Sequence, residues 1–394
     1  MIVLSDNYVL RVRFGGADIP LDISQIKEFA IIQDMNRFLP ALRLNISDAT
    51  GGYAHILPFD RKMSVIDIDM MRSLDSDIST SFQFMVYRRF PEMNYGAGCN
   101  YNIAGLLNFE DLFSRNYSRG FKGSIKDTLT TIALQDLKLD KVEISDSLNK
   151  DKVILQPYWS TAKLLNFLKH TLVGLNDEGG YVCFIKVVEG KTVFVFKSYN
   201  DLLSGQIKYK FVINDKSVKD YIPVVDYSIY DNYKVCGILG GKKKKYSYYD
   251  NEQGFQIEND VDTTKLKSLN EYFLIDNNDS EYGAILLDNG RTNDYDESFI
   301  GSVKADYYEN LMGLTKMWIT TWGLEDLYPG DAVSVLFGQG IHSGEIYSYQ
   351  YSGNWLVEKV VNTFGSTFKS KVLLTRSGID TDMDTTLMKA KIRV

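Results

Sequence analysis

The chain has 394 residues, room for two to three domains at about 150 residues each. Its 44 Lys and Arg stand against 51 Asp and Glu, and the resulting −7 argues against sequence-independent nucleic-acid binding, which needs a surplus of cations. Aromatic residues make up 13% with only seven Pro, a composition that opposes disorder and favours sheet. The three cysteines, Cys99, Cys183 and Cys236, offer no C-x-x-C spacing and read as reduced, buried thiols. No secretory apolar core follows Met1–Leu4 and no run of 18 apolar residues occurs, so the expectation is a reducing, aqueous compartment without membrane insertion.

In chain order, strands come first. Leu10, Val12 and Phe14 alternate with Arg11 and Arg13, and Leu42, Leu44 and Ile46 alternate with Arg43, Asn45 and Ser47. Ile66, Ile68 and Met70, then Phe82, Phe84 and Val86, keep the same period of two, which puts one face in a core. Residues 1–115 therefore read as a β-barrel or sandwich. Residues 116–215 read as an α+β domain. Its helices fall near 124–137, opened by the capping pattern Ser124-Ile125-Lys126-Asp127, and near 160–173, with Leu164, Leu165, Leu168 and Leu172 on one face. A hairpin over 181–197 turns at Glu189-Gly190.

Strands return from Tyr221 to Ile238, followed by Gly240-Gly241 and Lys242–Lys245, which read as a solvated tip. Between Asp276 and Glu297 seven acids face Arg291 alone, so most of the net charge lies in one segment. A helix near Phe299–Leu314 leads to strands at Lys316–Trp322, Ala332–Phe337, Trp355–Phe364 and Phe368–Thr375. The expected division adds a second barrel from 216–240 and 315–380, an inserted domain at 241–314 and a tail at 381–394. The fold class is mainly β with α+β insertions.

The closing strands carry the most specific pattern. Leu327-Tyr328-Pro329-Gly330-Asp331 enters a strand through a Pro-Gly turn; Gly353-Asn354-Trp355-Leu356-Val357-Glu358-Lys359-Val360 makes a second turn and strand; Lys371 to Arg376 ends the unit. With Leu327, Pro329, Gly330, Asp331, Gly353, Trp355, Val357, Val360 and Arg376 as its motif residues, this ending resembles the closing barrel of phage baseplate hub proteins. It is similar to the hub of contractile-tailed phages and, more distantly, to the spike proteins of type VI secretion. The order of an opening barrel, a helix-plus-hairpin segment and a long insertion before the last barrel matches that family too.

The resemblance implies two related small β-barrels forming a ring in a homotrimer, plus two α+β domains. It implies a non-enzymatic adapter of the virion tail baseplate or tip, assembled in the host cytoplasm. Its partners would be itself, the tail tube protein, the central spike protein, and tape measure and baseplate wedge proteins. During genome ejection DNA would pass through without specific binding, and no cofactor is implied. An internal repeat agrees. Met63-Ser64-Val65 can be set over Val333-Ser334-Val335, and Val86 and Val357 follow at similar distances, each with a basic residue within three positions (Arg88, Lys359).

Other chemistry is thinly represented. His55, His170 and His342 form no metal set, Gly338, Gly340 and Gly344 do not make a dinucleotide loop, and there is no nucleophile elbow. The competing reading is a carbohydrate- or receptor-binding tail module, suggested by the 26 Tyr and 4 Trp.

Overall fold

The computed structural model describes residues 2–5, 8–14, 17–18, 23–49, 65–71, 79–94, 98–215, 218, 220–231, 243–250, 255–262, 285–287, 294–313, 315–338, 348, 351–365 and 367–376. The opening strands are β1 (Ile2–Ser5), β2 (Tyr8–Phe14), β3 (Ala17–Asp18), β4 (Ile26–Asp34), β5 (Ala41–Asp48), β6 (Val65–Met71), β7 (Ser79–Asn94) and β8 (Gly98–Leu107). They are ordered β1-β2-β6-β7-β8-β5-β4, with β3 beside β2. The alternation that predicts these strands also sets their faces: Leu42, Leu44, Ile46, Ile66, Ile68, Phe82 and Phe84 are all buried.

The middle of the chain begins with α1 (Glu110–Ser114), β9 (Asn116–Ser124) and α2 (Ile125–Thr131). Ser124 caps α2, its hydroxyl accepting from the Asp127 N–H at 3.0 Å. Past α2 the helix widens, the Leu137 N–H donating to the Ile132 carbonyl five residues back. There follow β10 (Lys141–Ile144), β11 (Asp151–Ser160), α3 (Thr161–Thr171, capped by Ser160), β12 (Tyr181–Val188), β13 (Lys191–Ser198) and α4 (Tyr199–Leu203). The predicted hairpin is β12–β13, with Glu189 at φ 50° and Gly190 at φ 77°, the pair of positive values a type I′ turn requires.

The three-stranded sheet β10-β13-β12 is covered on both sides, which explains its nearly unbroken apolar text. Cys183, Ile185, Phe194 and Phe196 join the core of the opening strands. Val182, Phe184, Val193 and Val195 pack on Tyr307, Tyr308 and Met312 instead. The two remaining strands, β9 and β11, pair only with each other as a ribbon among the described residues.

The closing part runs β14 (Ile207–Ile213), β15 (Ile222–Pro223), β16 (Asp226–Asp231), β17 (Lys243–Asp250), β18 (Phe255–Asp262), β19 (Ile285–Leu287), α5 (Asp294–Leu311), β20 (Thr315–Trp322), β21 (Ala332–Phe337), β22 (Gly353–Phe364) and β23 (Phe368–Arg376). Helix α5 begins five residues before the expected Phe299. Lys243–Lys245 are not a loop tip: they open β17, opposite Asp262, Val261 and Asp260 of β18, so the strand register alternates Lys against Asp. The acidic stretch expected at Asp276–Glu297 lies mostly outside the described residues, as do His55, His342, Cys236 and the tail at 381–394.

The expected barrels are corrected. No sheet closes into a barrel among the described residues; the opening and closing strands instead share one long, mostly antiparallel sheet. In the closing half the ladder breaks where closure would occur. The Val224 N–H donates to Val212 on β14, while the Val225 N–H donates to Thr320 on β20. One short segment thus leans on both ends of the curved group, but β15 pairs with β14 for two residues only, one of them Pro223, which has no N–H to give.

The internal repeat is visible as topology. The opening order β6-β7-β8-β5-β4 and the closing order β21-β22-β23-β20-β16 match strand for strand, in the same chain order and all antiparallel. Both long strands carry a bulge at the corresponding place: β7 between Val86 and Arg88, β22 between Val357 and Lys359. This supports the equivalence of Val86 with Val357. It also moves the rest of the proposed alignment by three residues. Val65 faces Met85 and Ala332 faces Leu356, so Val65 corresponds to Ala332 rather than to Val335. The flanking strands differ, β2 being antiparallel to β6 and β14 parallel to β21.

Candidate functional site

The nine motif residues converge on the core of the closing half. Tyr328-Pro329-Gly330-Asp331 forms the expected turn, with Gly330 at φ 89°, a conformation that favours glycine. The Asp331 N–H donates to the Tyr328 carbonyl, and an Asp331 carboxylate oxygen accepts from the Tyr328 N–H at 2.9 Å and from Lys208 Nζ at 3.1 Å. Two backbone bonds then clamp the turn to β22: the Gly330 N–H to the Val357 carbonyl at 2.8 Å, and the Val357 N–H to the Asp331 carbonyl at 2.9 Å.

Leu327, Trp355, Val357 and Val360 are all buried in one cluster with Phe211, Met317 and Val372. Gly353, at φ 116°, opens β22 and lets the chain turn into it. Arg376 is fully buried, its guanidinium 4.9 Å from the centre of the Trp355 ring and its Nη1 donating to the Ser352 carbonyl at 2.8 Å. Trp355 Nε1 donates to the Tyr351 carbonyl at 3.2 Å. These residues build a frame for the closing strands.

The site that the motif frames is the joint between the halves. Beyond its bulge, β22 pairs antiparallel with β4, from Lys359 opposite Asp34 to Phe364 opposite Phe29. The bulged residue, Glu358, is 7% exposed. Its carbonyl accepts the Met35 N–H at 3.0 Å, and its carboxylate accepts from Asn36 Nδ2 at 2.9 Å and from Lys316 Nζ at 2.7 Å. Lys359 Nζ lies 3.2 Å from Asp34, and Lys169 Nζ 3.0 Å from Glu309. Asn36, Glu358, Lys316, Lys169 and Glu309 line a cleft of about 400 Å³ that also borders His170 and Tyr199.

Its charged side chains stand in pairs that fasten β22 to β20 and β4 and α3 to α5. Sequence reasoning did not find this cluster. The available signal was the break in alternation at Glu358-Lys359, an acid and a base side by side inside an apolar strand.

A second cleft of about 370 Å³ lies on the outer face of β4-β5-β8-β7, bordered by Glu28, Arg43, Asn45, Arg88 and Asn102. Among the described residues no group of three His, Cys, Asp or Glu could hold a metal, and no helix is long and apolar enough to cross a membrane.

No family model and no curated protein matches the chain. Solved structures do. The 43 kDa tail protein of prophage MuSo2 from Shewanella oneidensis aligns with a TM-score of 0.59 at 10% identity, over 94% of this chain and 98% of that one. The tail protein from Neisseria meningitidis MC58 aligns at 0.55 and 10%, over 95% and 98%. The fold is that of phage tail proteins. A component of the Escherichia coli type VI secretion system aligns more weakly, at 0.49 and 7%, over 93% of this chain and 76% of that one. Coverage of nearly the whole chain by both tail proteins means that the tail-protein fold takes in the opening strands, the middle segment and the closing strands together.

Proposed function

We propose that this chain is a structural hub of a phage tail baseplate, a homotrimeric adapter between the six-fold tail tube and the three-fold central spike, and part of the DNA channel. The observation that carries this reading is the five-strand unit that occurs twice in one chain with the same order, direction and bulge. Three copies of a two-unit chain make six near-equivalent positions around a three-fold axis, and such a ring offers sixfold contacts on one face and threefold contacts on the other. The tail-protein fold agrees with it. The function is assembly rather than catalysis, and the units would follow the division expected from the sequence (1–115, 116–215, 216–240 with 315–380, and 241–314) except that β14, which pairs with β21 and packs in the closing core, would belong with 216–240 and 315–380.

Light scattering or mass photometry of the purified chain tests this. The expected particle has three times the 44.9 kDa of one chain. A monomer that persists with and without the spike protein would overturn it.

A further inference from the structure

We infer that the outer face of β20 and β23 takes single-stranded nucleic acid without sequence preference, Lys369 and Lys371 holding phosphates and Trp322 stacking a base. The choice of ligand rests on the hub function proposed above, which brings DNA past this chain.

Strand alternation gathers these residues on one side. Thr320 faces Lys371 and Trp322 faces Lys369, while Met317, Ile319 and Val372 lie in the core on the other side. Lys371 Nζ stands 5.1 Å from the centre of the Trp318 ring, and Lys369 Nζ 5.8 Å from that of Trp322. Both lysines are exposed. Among the described residues neither forms an ion pair, unlike Lys316 and Lys359, which pair with Glu358 and Asp34. Asp226 faces Thr320 from β16 and pairs with neither lysine.

Trp322 is 55% exposed, yet its place is fixed. Just past it the Gly323 N–H donates to the Phe368 carbonyl at 3.0 Å and the Leu324 N–H to Ser370 Oγ at 2.8 Å. Ser370 Oγ in turn donates to Asn362 at 2.7 Å.

The frame of the unit does not call for these side chains. Trp318 faces Leu373 and Arg43 faces Ala104, in each case just beyond the bulge, so the two hold the same place in their units. By the same ladders Trp322 corresponds to Ser47, and Lys371 and Lys369 to Asn102 and Asn100. The opening unit builds the same strands with no aromatic ring and no lysine at those four places.

The chemistry of the patch selects the ligand. Residues two apart on a strand are separated by about 7 Å, so the lysines offer two cations in line, suited to phosphates or carboxylates alike. The indole discriminates: a base stacks on it, every base has such a face, and a carboxylate has none. A duplex keeps its bases inside, which leaves the single strand. The net charge of −7 opposes attraction by the whole surface, so the contact is local and sensitive to salt.

Binding to the full chain tests this, with fluorescein-labelled oligo(dT) of about 12 nucleotides as probe, anisotropy for affinity and tryptophan emission for stacking. A duplex of the same length, poly-glutamate and a heparin oligosaccharide serve as competitors, and light scattering gives the assembly state of each variant. The oligonucleotide is expected to quench the emission. Two phosphate contacts give a slope of about −1.4 in log affinity against log salt, and Lys369→Ala/Lys371→Ala should bring it close to zero. Trp322→Ala should weaken binding about tenfold and remove most of the quenching. Poly-glutamate, heparin or duplex competing as well as unlabelled oligo(dT) overturns the inference in favour of a general anion, glycan or backbone contact. A trimer that does not bind the oligonucleotide overturns it too and leaves the hub function standing. A monomer, with and without the spike protein, that binds as expected keeps the face and removes the hub.

Discussion

Replacing Glu358 with Ala should loosen the two halves from each other more than its single position suggests. Glu358 is 7% exposed and accepts two bonds from outside its own strand, from Lys316 at 2.7 Å and Asn36 at 2.9 Å. Bonds to a charged group contribute about 1.5–3 kcal/mol each, and removing one partner of a buried pair costs about 3–5 kcal/mol when the other charge is left dry. Here the orphaned groups are not dry. The Lys316 side chain is 29% exposed and Asn36 lies at the surface, so both recover water and the expected loss falls to about 2–3 kcal/mol. The backbone bond from Met35 to the Glu358 carbonyl survives the substitution, which keeps the bulge in place.

Urea unfolding at fixed protein concentration measures the loss, because any self-association would otherwise shift the midpoint. Glu358→Ala, Lys316→Met and the double variant form a cycle whose coupling should reach about 1 kcal/mol or more. A loss below about 0.5 kcal/mol, with additive singles, would show that the cluster is a solvated surface group and would refute this account of the joint.

Gly330→Ala should cost about 1–2 kcal/mol, because φ 89° is unfavourable for any residue with a Cβ and the new methyl would meet Leu202 Cδ2 at 3.3 Å; a thermal melt reads the change, and an unchanged melting temperature would contradict the turn geometry. Stability should fall in acid. The Asp140 carboxyl is held low by bonds from the Thr192 N–H and hydroxyl, and Glu143, which burial alone would raise, is held low by Lys186 and Lys197. Carboxyls depressed in the folded state stabilise it above their unfolded values near pH 4 and lose that contribution as pH falls through the folded ones. Urea midpoints between about pH 6 and pH 3 should therefore decline, and Asp140→Asn should flatten the slope. Cys183 is buried, which pushes its thiol far up, so maleimide should label Cys99 before Cys183 in the native protein and all cysteines only on unfolding.

Local features were legible in the residues. The period of two in Ile66–Met70 and Phe82–Val86, the cap at Ser124, the helix start near Ser160 and the Glu189-Gly190 turn each depend on neighbours a few residues away, and each appears where expected. Pairings across long separations were not legible. The text of β4, Ile26–Asp34, mixes an apolar run with charged ends, and nothing in it specifies a partner more than 320 residues later. The repeat was visible because Val86 and Val357 follow a like triplet at similar distances and each precede a basic residue, yet its alignment slipped by three at Val65, since any β-branched residue in a strand resembles any other.

The barrel expectation found β2, β5, β6 and β7 of the opening half but missed β4 and β8, and it did not foresee that a two-residue pairing at Pro223 would interrupt the seam. Of the joint, only Lys359 stood out beforehand. Asp34, Asn36 and Lys316 are ordinary polar residues until the fold brings them to Glu358.

The two five-strand units differ most where the chain passes from the first strand to the second. In the opening unit six residues, Met35 to Pro40, carry β4 into β5, while in the closing unit the stretch from 232 to 314 separates β16 from β20 and holds β17 to β19 and α5. Units alike in frame are thus unlike in ornament. Around a closed ring of three chains, bare corners and decorated corners would alternate, and any protein approaching along that rim would meet a keyed surface with a repeat of 120° instead of 60°. A single long insertion in one of two duplicated units would be enough to tell an incoming ligand of the ring which symmetry to obey.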